Sequence, residues 1–110
     1  MEFLFTYRGK KHKFFVNELE SVFQKASGLM FRKKSKPLLF IFKNKTNESI
    51  HSFFCVPFIA FWFCNGKVID VKFVKPWKLS VKPCEKYDKL LEVPVNDDKF
   101  RFLFEEYRKV

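Results

Sequence analysis

His51 and Cys55 are the residue types of a base and a nucleophile, an imidazole that could take the proton of a thiol. Four residues apart on an extended chain they stand about 13 Å from each other, too far to exchange a proton without a bend. His51 is therefore expected to be half-buried and bonded to backbone. Cys55, Cys64 and Cys84 are odd in number, widely spaced and without a Cys-x-x-Cys, so they are expected as structural thiols rather than a disulfide framework or zinc site. No metal and no cofactor are expected. The acidic pairs serve other ends, Glu18 with Glu20 at a helix start and Glu105 with Glu106 on a solvated helix face. No Ser-centred elbow or Gly-rich phosphate loop is present, so no catalytic residue is nominated.

Binding chemistry has more to work with. Arg32 follows Gly28-Leu29-Met30-Phe31 and could anchor an anion or carboxylate; Trp77, after Pro76, is either a packed rim aromatic or a stacking platform. Arg32, His51 and Trp77 form the candidate set for a small anionic or polar ligand. A second set is basic: Arg8, Lys10, Lys11 and Lys13 around one turn, and Lys33, Lys34 and Lys36 after Arg32. If both runs share a rim they could follow a phosphate backbone, with Trp77 or Tyr7 stacking a base. The net charge of +10 favours anionic partners in general. Yet 18 of the 22 basic residues are Lys, not the bidentate Arg, and an AT-rich genome or a hot habitat produces the same excess.

The elements that must position these groups follow from pattern. At 110 residues, 47% hydrophobic with 17 Phe, the chain is expected to be one domain, residues 1–110, around a ring-rich core. Residues 3–7 and 13–16 flank Arg8-Gly9-Lys10-Lys11 as an opening hairpin. Asn17 and Glu20 make a capping box for a helix over 17–27 that Gly28 stops. Leu38–Phe42 is a buried strand, Lys43–Glu48 a polar loop, and Ile50–Val56 and Phe58–Cys64 are further strands. Asn65-Gly66 predicts a tight hairpin into Lys67–Val74, where Ile69, Val71 and Phe73 should share one face. Trp77–Val81 is a short strand, Tyr87–Val95 the last strand, and a terminal helix is capped by Asp97.

Gly28-Leu29-Met30-Phe31-Arg32, Leu38–Phe42, Ile50–Phe54, Asn65-Gly66-Lys67-Val68, Lys75-Pro76-Trp77 and Leu91-Glu92-Val93-Pro94 occur in this order. Over residues 14 to 95 the chain resembles the archaeal form of the family called domain of unknown function 192. The resemblance implies a compact antiparallel β-sandwich or jelly-roll-like barrel, with one helix after the first hairpin and, from this chain's own pattern, a C-terminal helix. It implies no reaction. Two departures are a charged helix after Val95 where many members have a Gly-rich turn, and Ile50–Phe54 where bacterial members carry a polar strand.

A non-catalytic binding module for a small anionic or polar ligand ranks first, a nucleic-acid module second, and an enzyme with a dispersed site third. No apolar run reaches the roughly 18 residues of a membrane span, and the N-terminus lacks a leader pattern, so a cytoplasmic protein is expected. Its strand edges leave monomer and dimer both open.

Overall fold

The computed structural model describes residues 1–19, 34–52, 54–96 and 98–109. Arg8 and Gly9 both take positive φ, 50° and 77°, which makes the two-residue turn that joins β1 (Glu2–Tyr7) to β2 (Lys10–Phe15). Lys10 and Lys11, expected in the turn, belong to β2. The hairpin alternates, so Phe3, Phe5, His12 and Phe14 point inward while Glu2, Leu4, Lys13 and Phe15 face out.

Five strands form the second sheet in the order β3 (Asn17–Leu19), β4 (Leu38–Thr46), β7 (Tyr87–Pro94), β5 (Phe58–Cys64), β6 (Lys67–Val74). The fold is mainly β, but the sheets do not close on one another as a barrel, and β3 runs parallel to β4. The helix expected from Asn17 is corrected at its start. Asn17 donates its backbone N–H to Pro37 O at 3.0 Å and pairs with Leu38, so sheet pairing outweighs the local capping signal. The remainder of that helix, with Gly28 to Phe31, lies outside the described residues. The loop expected at Lys43–Glu48 is also corrected, since β4 runs on to Thr46 past an irregularity after Ile41.

β5 is the centre. Phe58 to Phe63 are all within 1% of full burial, because both faces of the sheet are covered. Ile59, Phe61 and Phe63 face the hairpin, while Phe58, Ala60 and Trp62 face the other way. Phe5 packs edge-on against Phe61 and Phe63 at 5.1 Å each. The same face receives α1 (Arg101–Tyr107), preceded by a 3₁₀ turn at Asp98–Phe100, through Leu103 and Tyr107. Asp97, the expected cap, lies outside the described residues; Phe100 stands at the start of α1 without a side-chain cap.

The Asn65-Gly66 turn forms as expected, with φ of 52° and 79°. The expected alternation of β6 fails at one residue. Trp62 pairs with Asp70 but Phe63 with Val68, so Ile69 is the extra residue of a bulge and turns to the opposite face from Val71 and Phe73.

Candidate functional site

The face of the sheet away from the hairpin is covered by two irregular segments, 47–57 and 75–86. The strands expected at Ile50–Val56 and Trp77–Val81 are absent there. A single bridge joins Ile50 to Val81, with both N–H···O bonds at 2.8 Å. Positive φ at Phe54 and Trp77 breaks either run as a strand.

Ser52 ties the two segments. Its hydroxyl donates to Lys75 O at 2.6 Å and accepts from Lys78 N–H at 2.7 Å. Its N–H donates to Lys78 O at 3.0 Å, and its carbonyl accepts from Trp77 N–H at 2.9 Å and Cys55 N–H at 3.2 Å. Every polar group of this fully buried residue is used. Farther along, Asp70 accepts from Cys84 N–H at 3.0 Å and Lys72 donates to Lys82 O at 2.6 Å, which fastens 82–84 along β6.

Phe54 and Trp77 sit at the crest of this cap, with φ of 58° and 67°. Bulky side chains hold the left-handed region only where surrounding bonds impose it, at a cost on the order of 1–3 kcal/mol each. Their rings meet edge to face at 4.7 Å, and yet they stay 50% and 59% exposed. Lys75 and Lys78, both exposed, bracket Trp77.

Glu92 lies beneath the cap, in the middle of β7 with Leu38 and Ala60 as its lateral partners. It is buried, and burial pushes its carboxyl up to about 8. Among the described residues no cation pairs with it. Two titratable groups near it are shifted as well: burial, then the proximity of Glu92, raises the Cys55 thiol to about 11, and burial first raises the Tyr87 hydroxyl to about 12. Tyr87 donates to Glu48 O at 2.9 Å, and the Trp62 indole lies on the same side with its ring 6.4 Å from that of Tyr87.

Of the candidate ligand residues, His51 and Trp77 are brought together on this cap, His51 adjoining Ser52 and half-buried. Arg32 lies outside the described residues, as does Lys33. The two basic runs do not meet. Pro37, next to Lys36, bonds Asn17 at the open end of the hairpin, whereas Arg8, Lys10 and Lys11 stand at its turn, about 20 Å away along the strands. Lys34 and Lys36 are exposed. Lys10 pairs with Glu106, Lys13 pairs with Glu2 at 3.0 Å, and Arg8 lies 5.1 Å from the Tyr7 ring centre. Among the described residues, Lys34 and Lys36 thus stand apart from Arg8, Lys10 and Lys11. Ser52, Phe54 and Glu92 were not singled out by spacing. Glu92 carried a signal, an acid set among Leu90, Leu91 and Val93 in a strand with no polar alternation.

No family model matches the chain. A solved structure from Novosphingobium aromaticivorans, a protein of unknown function, superposes with a TM-score of 0.75 at 16% identity, over 83% of this chain and 70% of that one. A Sinorhizobium meliloti protein described as a candidate transcription regulator gives 0.73 at 19%, over 83% and 76%. Both establish the fold. Among sequences, a UPF0127 protein of Pyrococcus furiosus is 32% identical over 78 residues, 67% of each chain, and one of Pyrococcus horikoshii is 39% identical over 66 residues. The second match spans 56% of this chain and 57% of the relative's length. The chain belongs to the uncharacterised UPF0127 family. No helix among the described residues is long and apolar enough to cross a membrane.

Proposed function

We propose that this domain is a non-catalytic binding module whose cap receives a small anionic or polar ligand with a flat face. The observation that carries this reading is the ring pair Phe54 and Trp77, held half-exposed on left-handed backbone by the bonds of Ser52 and bracketed by Lys75 and Lys78. Exposed rings cost hydration, and a backbone fixed this firmly keeps them from folding inward. A planar ligand stacks on the pair, the lysines meet its charge, and His51 offers a hydrogen bond at the edge. Arg32 is kept as a further anion contact on the strength of the sequence alone.

The narrower family assignment, domain of unknown function 192, is proposed with this reading and rests on the ordered motifs between residues 14 and 95. A cytoplasmic setting is proposed on the odd, scattered cysteines.

Titration of Trp77 fluorescence with nucleoside monophosphates and aromatic carboxylates at low salt tests the reading, with Trp77→Ala leaving buried Trp62 as the silent background. Quenching or a thermal shift that is lost in Trp77→Ala supports it. If no anion at millimolar concentration moves either signal, the reading fails. The same rings and lysines suit single-stranded nucleic acid as a second ligand class. Binding of an oligonucleotide that weakens steeply between 50 and 200 mM salt marks that alternative.

A further inference from the structure

Leu79 is 76% exposed, more than any other large apolar residue described, and it stands two residues after Trp77, itself 59% exposed with its ring against that of Phe54. A flat ligand stacked on the ring pair makes use of Phe54 and Trp77 but not of this aliphatic side chain. The crest that carries all three is fixed. Ser52 holds Lys78 through both its N–H and its carbonyl, and Ser52 O holds Trp77 N–H.

The charge around them has one sign. Residues 49–57 and 75–84 contain three lysines, Lys75, Lys78 and Lys82, all exposed, and no carboxylate. Asp70, the acid of β6, commits one oxygen to Val71 N–H at 2.9 Å and the other to Cys84 N–H at 3.0 Å. Exposed apolar groups elsewhere keep different company. Leu4 and Phe15 share the outer face of the hairpin with Glu2, whose pairing with Lys13 balances charge there, and Phe102 lies on a helix that carries Glu105 and Glu106.

We propose that the cap is a docking surface for an anionic lipid bilayer, with Phe54, Trp77 and Leu79 entering the headgroup layer and Lys75, Lys78 and Lys82 set against its negative charge. The proposal goes beyond the small-ligand reading, with which it shares the ring pair; Leu79 and Lys82 belong to it alone. Rings and a leucine fixed at a crest suit the boundary between acyl chains and water, where an indole keeps its apolar body in one phase and its N–H in the other. Each lysine adds about fivefold to partition onto an anionic leaflet. That attraction reaches only about 10 Å at 0.1 M salt, so it acts where the apolar tips hold the charges close.

Flotation of the 110-residue chain with phosphatidylcholine vesicles, with and without about one third phosphatidylglycerol, tests this at about 0.1 M salt. The protein should float with the anionic vesicles and not with the neutral ones, and about 0.5 M salt should release it. Trp77 emission should move to shorter wavelength over the constant signal of buried Trp62. Leu79→Ser, which leaves the net charge unchanged, should lower the partition coefficient severalfold. Lys78→Gln should lower it about fivefold, while Lys11→Gln, on the hairpin, should leave it within about twofold. Absence of flotation with anionic vesicles, or equal flotation with neutral ones, overturns the proposal. So does flotation with Trp77 emission unmoved or with Leu79→Ser equal to wild type, since a basic protein then adsorbs by charge alone, and so does an equal loss in Lys78→Gln and Lys11→Gln. The anion titration is run without vesicles, so the two readings fail separately: flotation without anion quenching defeats the ligand reading alone, and quenching without flotation defeats the bilayer alone.

Discussion

The two faces of the five-stranded sheet are closed by different materials. On one face a regular hairpin and a helix bring rings into contact with rings: Phe5, His12 and Tyr107 surround Phe61 at centroid distances of 5.1 to 6.0 Å. On the other, two irregular segments are tied by the bonds of one serine and lie over an acid. The polar groups follow the same division. His12 shares a 3.3 Å contact with the Tyr107 hydroxyl, so its buried polarity is met, while Glu92 has no cation or donor assigned to it among the described residues. One face is closed by ring against ring, and the other carries the exposed rings above a buried acid. Packed rings and exposed rings are separated across a single sheet.

The largest test of this contrast removes a ring. Phe61→Ala empties the meeting point of hairpin, helix and sheet, and should cost about 3–5 kcal/mol in urea unfolding, with the Phe54 and Trp77 contact retained in whatever remains folded. The next largest has the opposite sign. At pH 9 Glu92→Gln should stabilise the protein by about 2–4 kcal/mol, since it removes a carboxyl raised from 4.5 to about 8, worth about 5 kcal/mol at 1.36 per unit, and leaves an amide whose burial costs about 1–3. The raised carboxyl contributes stability that is whole below its unfolded value and is lost as pH climbs to about 8. His12 slopes the other way, because burial lowers its pKa and the folded protein prefers it neutral. Stability on that account declines as pH falls below 6.5. Chemical unfolding from pH 4 to 9 should show the alkaline decline vanish in Glu92→Gln and the acid decline shrink in His12→Phe; unaltered slopes would remove the contrast in chemistry between the faces.

What the sequence disclosed divides along the same line. Arg8-Gly9 and Asn65-Gly66 impose positive φ and marked their hairpins locally, and the apolar runs Leu38–Phe42 in β4 and Phe58–Cys64 in β5 announced buried strands. Ile50–Val56 is largely apolar too, and there the same signal misled. Apolarity does not report extension, and the described residues of this run form a half-buried cap tied through Ser52, whose bonds to Lys75 and Lys78 span more than twenty residues and leave no local mark. Of the candidate ligand residues, Trp77 was conspicuous because large rings stand out by type, and the structure leaves it 59% exposed. Phe54, its partner, was hidden in a run of aromatics. Asn17 illustrates the reverse failure: a sound capping box was present, and three residues of pairing to β4 prevailed over it.

A smaller effect separates the cap from the sheet. Ser52→Ala deletes the hydroxyl that donates to Lys75 O and accepts from Lys78 N–H, leaving both backbone groups in need of water. The loss should be about 1–3 kcal/mol, and it should appear first as increased acrylamide quenching of Trp77, at denaturant concentrations where far-ultraviolet circular dichroism is still native. A cooperative loss of both signals together would show that the cap is no separate unit.

The smallest change tests the ring face for a dependence on charge. Lys10 reaches Glu106 from the hairpin to α1, the one described ion pair between them, and its side chain is 63% exposed against 24% for the acid. A charge so well hydrated gains little from its partner, so Lys10→Met should cost no more than about 1 kcal/mol, and less at 0.5 M salt. Packing supplies the reason for expecting so little: Tyr107, one residue on from Glu106, already touches Phe61 and His12 by ring and hydroxyl and fixes the helix without help from the pair. If instead Lys10→Met released the helix, seen as lost protection of the Leu103 and Tyr107 amides, the hairpin and helix would owe their docking to charge, and the division between a ring-sealed face and a polar one would lose its physical basis.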